Sequence, residues 1–257
     1  MRKSGHGWMA ASLSLASCSL AVALPFSGVY LLRGLGYSFL AVTGFALASQ
    51  VAYVLGLRAW GRLSDGHGNR PVLQVASLLL AACLAGWSVT WPPGAGRTAF
   101  LAMLHVATGL AVGGLELLTA NLLLKTAPAG NAAPHMAAFG LARAAVAGTA
   151  TVLAGFLWQE LGTGVLAART LLGVRLELLG FNVLALVSAA FALLALAALA
   201  GVPEPAAGRM PQVARAMRRE VLSLSSVAGL RSYAHAASYL VESMRGPGRR
   251  GRPGKQP

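Results

Sequence analysis

Apolar residues along the chain gather into six long runs, at roughly 8 to 32, 37 to 57, 71 to 91, 98 to 125, 136 to 159 and 180 to 201, separated by short polar or glycine- and proline-bearing breaks. A helix rises about 1.5 Å per residue and a bilayer core is about 30 Å thick, so about 20 apolar residues are needed to cross it. Every run qualifies. The pattern predicts an all-α membrane protein with six transmembrane helices in a domain over residues 1–202. Short connections make successive helices antiparallel neighbours, and an even number of them puts both chain ends on one side.

Beyond Pro203 the pattern changes. Val213, Met217, Val221 and Leu224 recur at helical spacing with Arg215 and Arg219 on the opposite face, which fits an interfacial helix or equally a solvated, partly disordered tail. Residues 203–257 are therefore read as a basic cytoplasmic tail whose last stretch, Arg245 to Pro257, is disordered. Residues 161 to 179 are read as an outer loop with a short interfacial helix, and no function is legible in them.

Composition agrees with a membrane solvent. The 257 residues are 56% hydrophobic and only 11% charged, with a mean hydropathy of +0.64, too apolar for a soluble core inside a charged shell. The formal charge of +14, from 21 Lys and Arg against 7 Asp and Glu, would suggest nucleic acid in a soluble protein. Position argues otherwise. Ten of the basic residues follow residue 203, and most of the others lie in short breaks between apolar runs, where they set topology and meet anionic headgroups. Arg2, Lys3, Arg58, Arg62, Arg70, Lys125 and the tail fall on one side, against Arg33, Arg97, Arg169 and Arg175 on the other. Both termini are then cytoplasmic in a multi-pass protein of the cell membrane, with Trp60 at the inner interface and Trp91, beside Pro92 and Pro93, at the outer one. The first run has a second reading as a cleavable signal peptide, from Arg2, Lys3 and the Ala21-Val22-Ala23 triplet, although its apolar character continues to Leu32. Cys18 and Cys83 lie inside apolar runs as small core residues, and five scattered histidines make no metal constellation, so no cofactor is expected.

One polar knot interrupts the apolar pattern. Gly61 to Pro71 combines a carboxylate (Asp65), two arginines (Arg62, Arg70), close-packing glycines (Gly61, Gly68) and a helix-restarting proline, and it reads as a tight loop between membrane helices. Asp65 can accept from free N–H groups at a helix start, with Arg70 as its charge partner. A merely topogenic basic loop is the plainer alternative, but it explains neither the glycines nor the aspartate.

The spacing Gly61-x-x-x-Asp65-x-x-Gly68-x-Arg70 resembles the signature loop of the major facilitator superfamily, between the second and third helices of a six-helix half. It departs at Gly66, where the family usually carries Arg or Lys. The stretches Pro25 to Leu32 and Asn121 to Pro128 resemble the seventh helix and the tenth-to-eleventh junction of bacterial members. Extending over about residues 8 to 202, the resemblance implies the C-terminal half of such a carrier, built as two inverted three-helix repeats. It also implies a gating loop made of Gly61, Arg62, Asp65, Gly68 and Arg70, which in the family docks against helices of the opposite half.

Polar groups inside spans are functional candidates because hydrocarbon makes them costly. Glu116 lies nine residues before Lys125, and Arg143 seven after Met136. At about 1.5 Å per residue both sit roughly 10 to 14 Å inside, so they are expected to face each other or a shared cavity. As a pair they either bind a charged solute group or carry a proton, or they simply neutralise one another. Gln50 and Asn121 are weaker pathway candidates, as interhelical glue is the commoner use. His105 reads as a packed or interfacial histidine, with proton coupling as the alternative. Pro25 with Gly28 either breaks the first helix to line a pathway or makes a tolerated kink. Gly109 with Gly113, and Gly140 with Ala144 and Gly148, are packing stripes.

Enzyme chemistry finds no support. There is no Gly-x-Ser-Gly nucleophile segment, the serines at 12, 14, 17 and 19 have no recognisable histidine partner, and there is no Gly-x-x-x-x-Gly-Lys phosphate loop. The expectation is a secondary transporter of a small solute working by alternating access, half-size and needing a second half or a homodimer. The alternative is a membrane scaffold, a regulator or an inactive remnant.

Overall fold

The computed structural model describes residues 3–89, 93–128, 130–161, 165–171, 174–202, 204, 208 and 210–224. Six helices are long and apolar enough to cross a membrane. They are α1 (Lys3–Val29, continued by a π-helical turn, Tyr30–Gly34), α2 (Phe39–His67), α3 (Asn69–Gly86), α4 (Ala95–Thr126), α5 (Ala132–Leu161) and α6 (Gly180–Leu199). The chain is thus an all-α, six-helix, multi-pass membrane protein, as the apolar runs predict. Outside the spans, the stretch read as a loop with an interfacial helix instead carries an antiparallel hairpin, β1 (Val165–Leu171) with β2 (Val174–Leu179), and a register shift between Val165 and Ala167.

The chain divides into two compact units, Met1–Val213 and Ala214–Pro257. Helix α7 (Met210–Leu224) carries the apolar spacing expected after Pro203, with Val213 buried and Arg215 exposed. The final Arg245 to Pro257 stretch and Trp91 with Pro92 lie outside the described residues.

Helix directions follow from which residues meet. Ser49, Tyr53 and Trp60 of α2 meet Gly109, Gly113 and Gly114 of α4 in ascending order, so these helices run parallel. On the other side, Ser17, Ala21 and Phe26 of α1 meet Arg143, Thr151 and Trp158 of α5, again parallel. Gly86 of α3 meets Leu104 of α4, Tyr30 meets Phe181 of α6, Trp8 meets Gly201, and Arg70 of α3 reaches Ala200, so α3 opposes α4 and α6 opposes both α1 and α3. The principal contacts make an arc in the order α2, α4, α3, α6, α1, α5. Replacing each helix of the first three by the one three places later reproduces this arc. Since α1 and α4 run in opposite directions, the arc has the symmetry of two inverted three-helix units that exchange their middle helices.

The ends sort by charge. Arg70, Lys125 and the start of α1 share one end with the close of α6, while Arg33 and Arg97 lie at the other, where Arg97 donates to the Leu35 carbonyl at 3.2 Å and sits 5.2 Å over the Tyr37 ring.

The arc is tightly packed in its middle and open at its tips. Half or more of the most apolar stretch of α3, α4 and α6 is buried, against 11% for α2 and none for α5. Ala21, Val22 and Ala23 are buried in the middle of α1. At the Arg33 end an aromatic chain crosses the bundle from Phe26 through Trp158 and Phe181 to Tyr30, and from Phe181 through Trp87, His105 and Phe45 to Tyr37, with centroid separations of 4.3 to 6.1 Å. Such pairs add about 0.5–1.5 kcal/mol each beyond area burial. Asn182 closes the same region by donating to the Trp87 carbonyl at 2.9 Å.

Several local expectations change. The Gly61–Pro71 knot is almost entirely helical, because α2 continues through His67 and α3 begins at Asn69. Only Gly68 leaves the helix, at φ +88°, a backbone conformation that a Cβ disfavours. Gly61 makes no close contact, since a Cβ there would meet open space. Pro25 does not break α1, which continues to Val29 before loosening into the π turn. Trp60 is no interfacial anchor. Its ring is buried to 1% exposure, with Nε1–H donating to the Leu110 carbonyl at 2.8 Å in a slot that Gly114 leaves open.

Candidate functional site

The α2–α4 seam is close because its glycines permit it. A Cβ at Gly109 would overlap the Ser49 carbonyl oxygen, and one at Gly113 would press on Tyr53 at 3.0 to 3.5 Å. The glycine pair read as a packing stripe therefore packs as expected. This approach brings the Tyr53 hydroxyl to 2.6 Å from Glu116 Oε2, to which it donates. Glu116 is exposed on the open side of the helix arc, well inside the span.

The equivalent α1–α5 seam carries a charge of the other sign. Arg143 Nε donates to Ser17 Oγ at 3.0 Å, and the Ser17 hydroxyl in turn donates to the Leu13 carbonyl at 2.9 Å. Thr151 adds a 3.1 Å bond to the Ala21 carbonyl. Of the two arrangements expected of Glu116 and Arg143, facing each other or facing a shared cavity, no direct ion pair forms between them, and each instead holds a hydroxyl partner. A charged group on each of two symmetry-equivalent seams is suited to hold a polar solute between them. Tyr53 escaped sequence reasoning and Ser17 was weighed only as a nucleophile, because a hydroxyl in an apolar run does not reveal its partner until its neighbour is known.

The remaining candidates are scattered. Gln50 is exposed on α2 and Asn121 half-buried on α4, neither with a hydrogen-bond partner among the described residues. Pro25 is exposed and Gly28 faces open space. His105 is packed, its Nδ1 2.9 Å from the Leu101 carbonyl and its ring against Phe45 and Trp87. A Cβ added at Gly140 or Gly148 of α5 would meet nothing within 4 Å among the described residues.

At the Arg70 end the expected Asp65–Arg70 pair is absent. Asp65 and Arg62 are exposed on the last turns of α2. The carboxylate that caps α3 is Glu204, which follows α6. Its Oε1 accepts from the Asn69 N–H at 3.1 Å and its Oε2 from the Arg70 N–H at 2.7 Å, while Lys125 Nζ stands 3.7 Å away. A half-buried carboxylate on free N–H groups at a helix start combines capping with the favourable end of the helix dipole. Arg70 turns elsewhere, donating through Nη2 to the Ala200 carbonyl at 2.9 Å, and the Gly208 N–H donates to the His67 carbonyl at 2.8 Å. Glu204 and Gly208, both past the end of α6, are thereby tied to the α2–α3 turn. Glu204 has a faint sequence signal: one of only seven acidic residues, it directly follows the last span at the basic end.

A cavity of about 510 Å³ opens between α5 and α6 over α1, lined by Cys18, Val22, Ala150, Leu153, Val187 and Phe191. Its wall carries no charge, so it does not suit a charged solute. Among the described residues no group of His, Cys, Asp and Glu is placed to hold a metal ion. No protein-family model matches the sequence, and no curated protein is significantly similar to it.

Proposed function

We propose that this chain is half of a secondary transporter of the major facilitator type, which moves a small polar or charged solute across the cell membrane by alternating access and needs a second half to enclose its site. The observation that carries the reading is Glu116 with its Tyr53 partner, exposed on the open side of an inverted-repeat helix arc at mid-membrane depth. A carboxylate facing lipid near the bilayer centre costs about 2.5–3.5 kcal/mol even on permissive insertion scales, so this face is better read as lining an aqueous pathway. Arg143 on the equivalent seam supplies a counter-charge. The basic end bearing Arg58, Arg62, Arg70 and Lys125 is assigned to the cytoplasm, with both termini there. The strap from Glu204 to α3 serves as the fixed cytoplasmic floor of this half, and exposed Asp65 and Arg62 are its gating contacts to the other.

Proteoliposomes of the full chain, given a proton or sodium gradient and a panel of small solutes on a solid-supported membrane, test the reading. Gradient-dependent charge movement with at least one solute, lost in Glu116→Gln, is the expected result. Inserted, folded protein that moves none of them overturns it in favour of a scaffold.

A further inference from the structure

We infer that the chain binds one halide ion at the Arg33 end of the bundle, in a small cavity where the indole N–H of Trp87 and the Nε–H of Arg97 both donate to it. The site involves neither Glu116 nor Arg143, so it stands whether or not the chain moves a solute.

Two buried donors at this end have no acceptor in the chain. Trp87 caps the end of α3 and is 3% exposed, yet its Nε1–H meets no acceptor among the described residues. Arg97 stands on the first turn of α4, and its Nε–H is likewise buried without an acceptor. A buried donor that gives up water and gains nothing is costly, which is why such groups are nearly always paired.

Both residues line one cavity. Its volume is about 10 Å³, room for a single water-sized occupant, and it excludes a phosphate, a sulfate or an organic acid. Two lone donors on a space of that size define a site for one small acceptor.

The wall selects an anion over water. Apart from the Tyr30 hydroxyl, the lining side chains offer donors and hydrocarbon only, among them Leu35, Phe100 and Leu101. Water must place two protons of its own, whereas a halide only accepts. Charge points the same way. Arg97 has no carboxylate partner among the described residues; its guanidinium donates to the Leu35 carbonyl at 3.2 Å and sits 5.2 Å over the Tyr37 ring, neither of which carries a full countercharge. The start of α4 adds the positive end of a helix dipole. A monatomic anion supplies the missing charge and satisfies both donors at once. Because Trp87 ends α3, Arg97 begins α4, and Tyr30 and Leu35 belong to the close of α1, the ion joins three helix ends.

The test uses the full chain in detergent at constant ionic strength, with gluconate exchanged for chloride or for bromide, a heavy halide that quenches indole fluorescence. The inference expects saturable quenching by bromide that chloride relieves by competition, and a thermal midpoint that rises saturably with chloride. Trp87→Phe keeps a ring in place and removes one donor, and Arg97→Gln removes the other donor with its charge. In each, half-saturation by chloride should need at least about ten-fold more salt, with helical content unchanged, since a hydrogen bond to a charged group is lost. Arg97→Lys, which keeps the charge without the Nε donor, should fall between Arg97→Gln and the unsubstituted chain. Quenching that is linear in bromide and indifferent to chloride, with equal midpoints in chloride and gluconate, shows that the cavity holds water alone and overturns the inference. A saturable chloride effect of unchanged affinity in both Trp87→Phe and Arg97→Gln places the ion elsewhere and overturns it too. The unsubstituted chain thus decides whether an ion binds, and the variants decide where.

Discussion

The Tyr53 hydroxyl donates to Glu116 Oε2 at 2.6 Å across two parallel helices whose sequence positions are 63 residues apart. That bond couples the packing of the α2–α4 seam to the charge at the open face. Tyr53→Phe removes the donor without changing the ring and leaves Glu116 with an unmet acceptor. A hydrogen bond to a charged group contributes about 1.5–3 kcal/mol, reduced here by exposure to the lower end. The expected outcome is a thermal midpoint lowered by a few degrees in detergent, with solute movement impaired more than stability. An unchanged midpoint with unchanged movement would detach Tyr53 from the site.

The glycines of the same seam give a contrast within one helix pair. Gly109→Ala forces a methyl onto the Ser49 carbonyl, which is backbone and cannot rotate away, so α2 and α4 must separate. Overpacking of this kind costs about 1–3 kcal/mol. Gly61→Ala meets open space within the helical end of α2, so it should be neutral or slightly stabilising, by up to about 1 kcal/mol from helix propensity. Denaturation of the two variants side by side checks the ordering, and equal stability would contradict the close seam.

Glu204 is expected to govern the start of α3. Glu204→Ala removes the acceptor from the Asn69 and Arg70 amides and should destabilise by about 1–2 kcal/mol, with Glu204→Gln intermediate because it keeps one acceptor oxygen. Lys125→Ala should change stability by less than about 0.5 kcal/mol, since the lysine is 58% exposed and its ion pair is long at 3.7 Å. Hydrogen exchange gives the local readout: faster exchange at Asn69 and Arg70 in Glu204→Ala, with the amides in the middle of α3 unaffected. Protection unchanged at both would show that the cap contributes nothing.

The aromatic chain at the opposite end should be the stiffest part of the bundle. Trp87 is 3% exposed and touches both His105 and Phe181, linking the two three-helix units. Trp87→Ala empties a buried site of aromatic size, for which about 3–5 kcal/mol is typical. Loss of cooperative unfolding in this variant is the expected result, and a loss below about 1 kcal/mol would mean that the two units are held together elsewhere.

These expectations also show how far the sequence could be read. The six spans were legible because apolar runs of membrane length have few other uses, and the Gly109–Gly113 stripe because small residues four apart mark a close seam. The polar knot misled because Gly61, Ser64, Asp65 and Gly66 are poor helix formers that read as a turn. A helix emerging from hydrocarbon satisfies its backbone internally and can carry them, so a single positive-φ residue, Gly68, suffices to reverse the chain. Trp60 misled for a related reason: aromatic residues near a span end commonly anchor at headgroups, and nothing local reveals that Gly114, in a different helix, opens a slot for the ring. The β-hairpin has no such excuse of distance. Its strands alternate too weakly to be separated from an apolar loop. Within the site, charges in oily runs pointed to Glu116 and Arg143, but their hydroxyl partners and the Glu204 cap are long-range contacts that only the helix arc creates.

The central claim is that Glu116 faces a water-filled pathway and not lipid or packed protein. The most direct measurement is labelling of Glu116→Cys by a membrane-impermeant maleimide in intact membranes, in the Cys18→Ser, Cys83→Ser background. The account predicts that the thiol is modified at least ten-fold faster than a Leu80→Cys control buried in α3, with solute or an imposed ion gradient altering the rate. Modification no faster than the control, under any gradient, would contradict it.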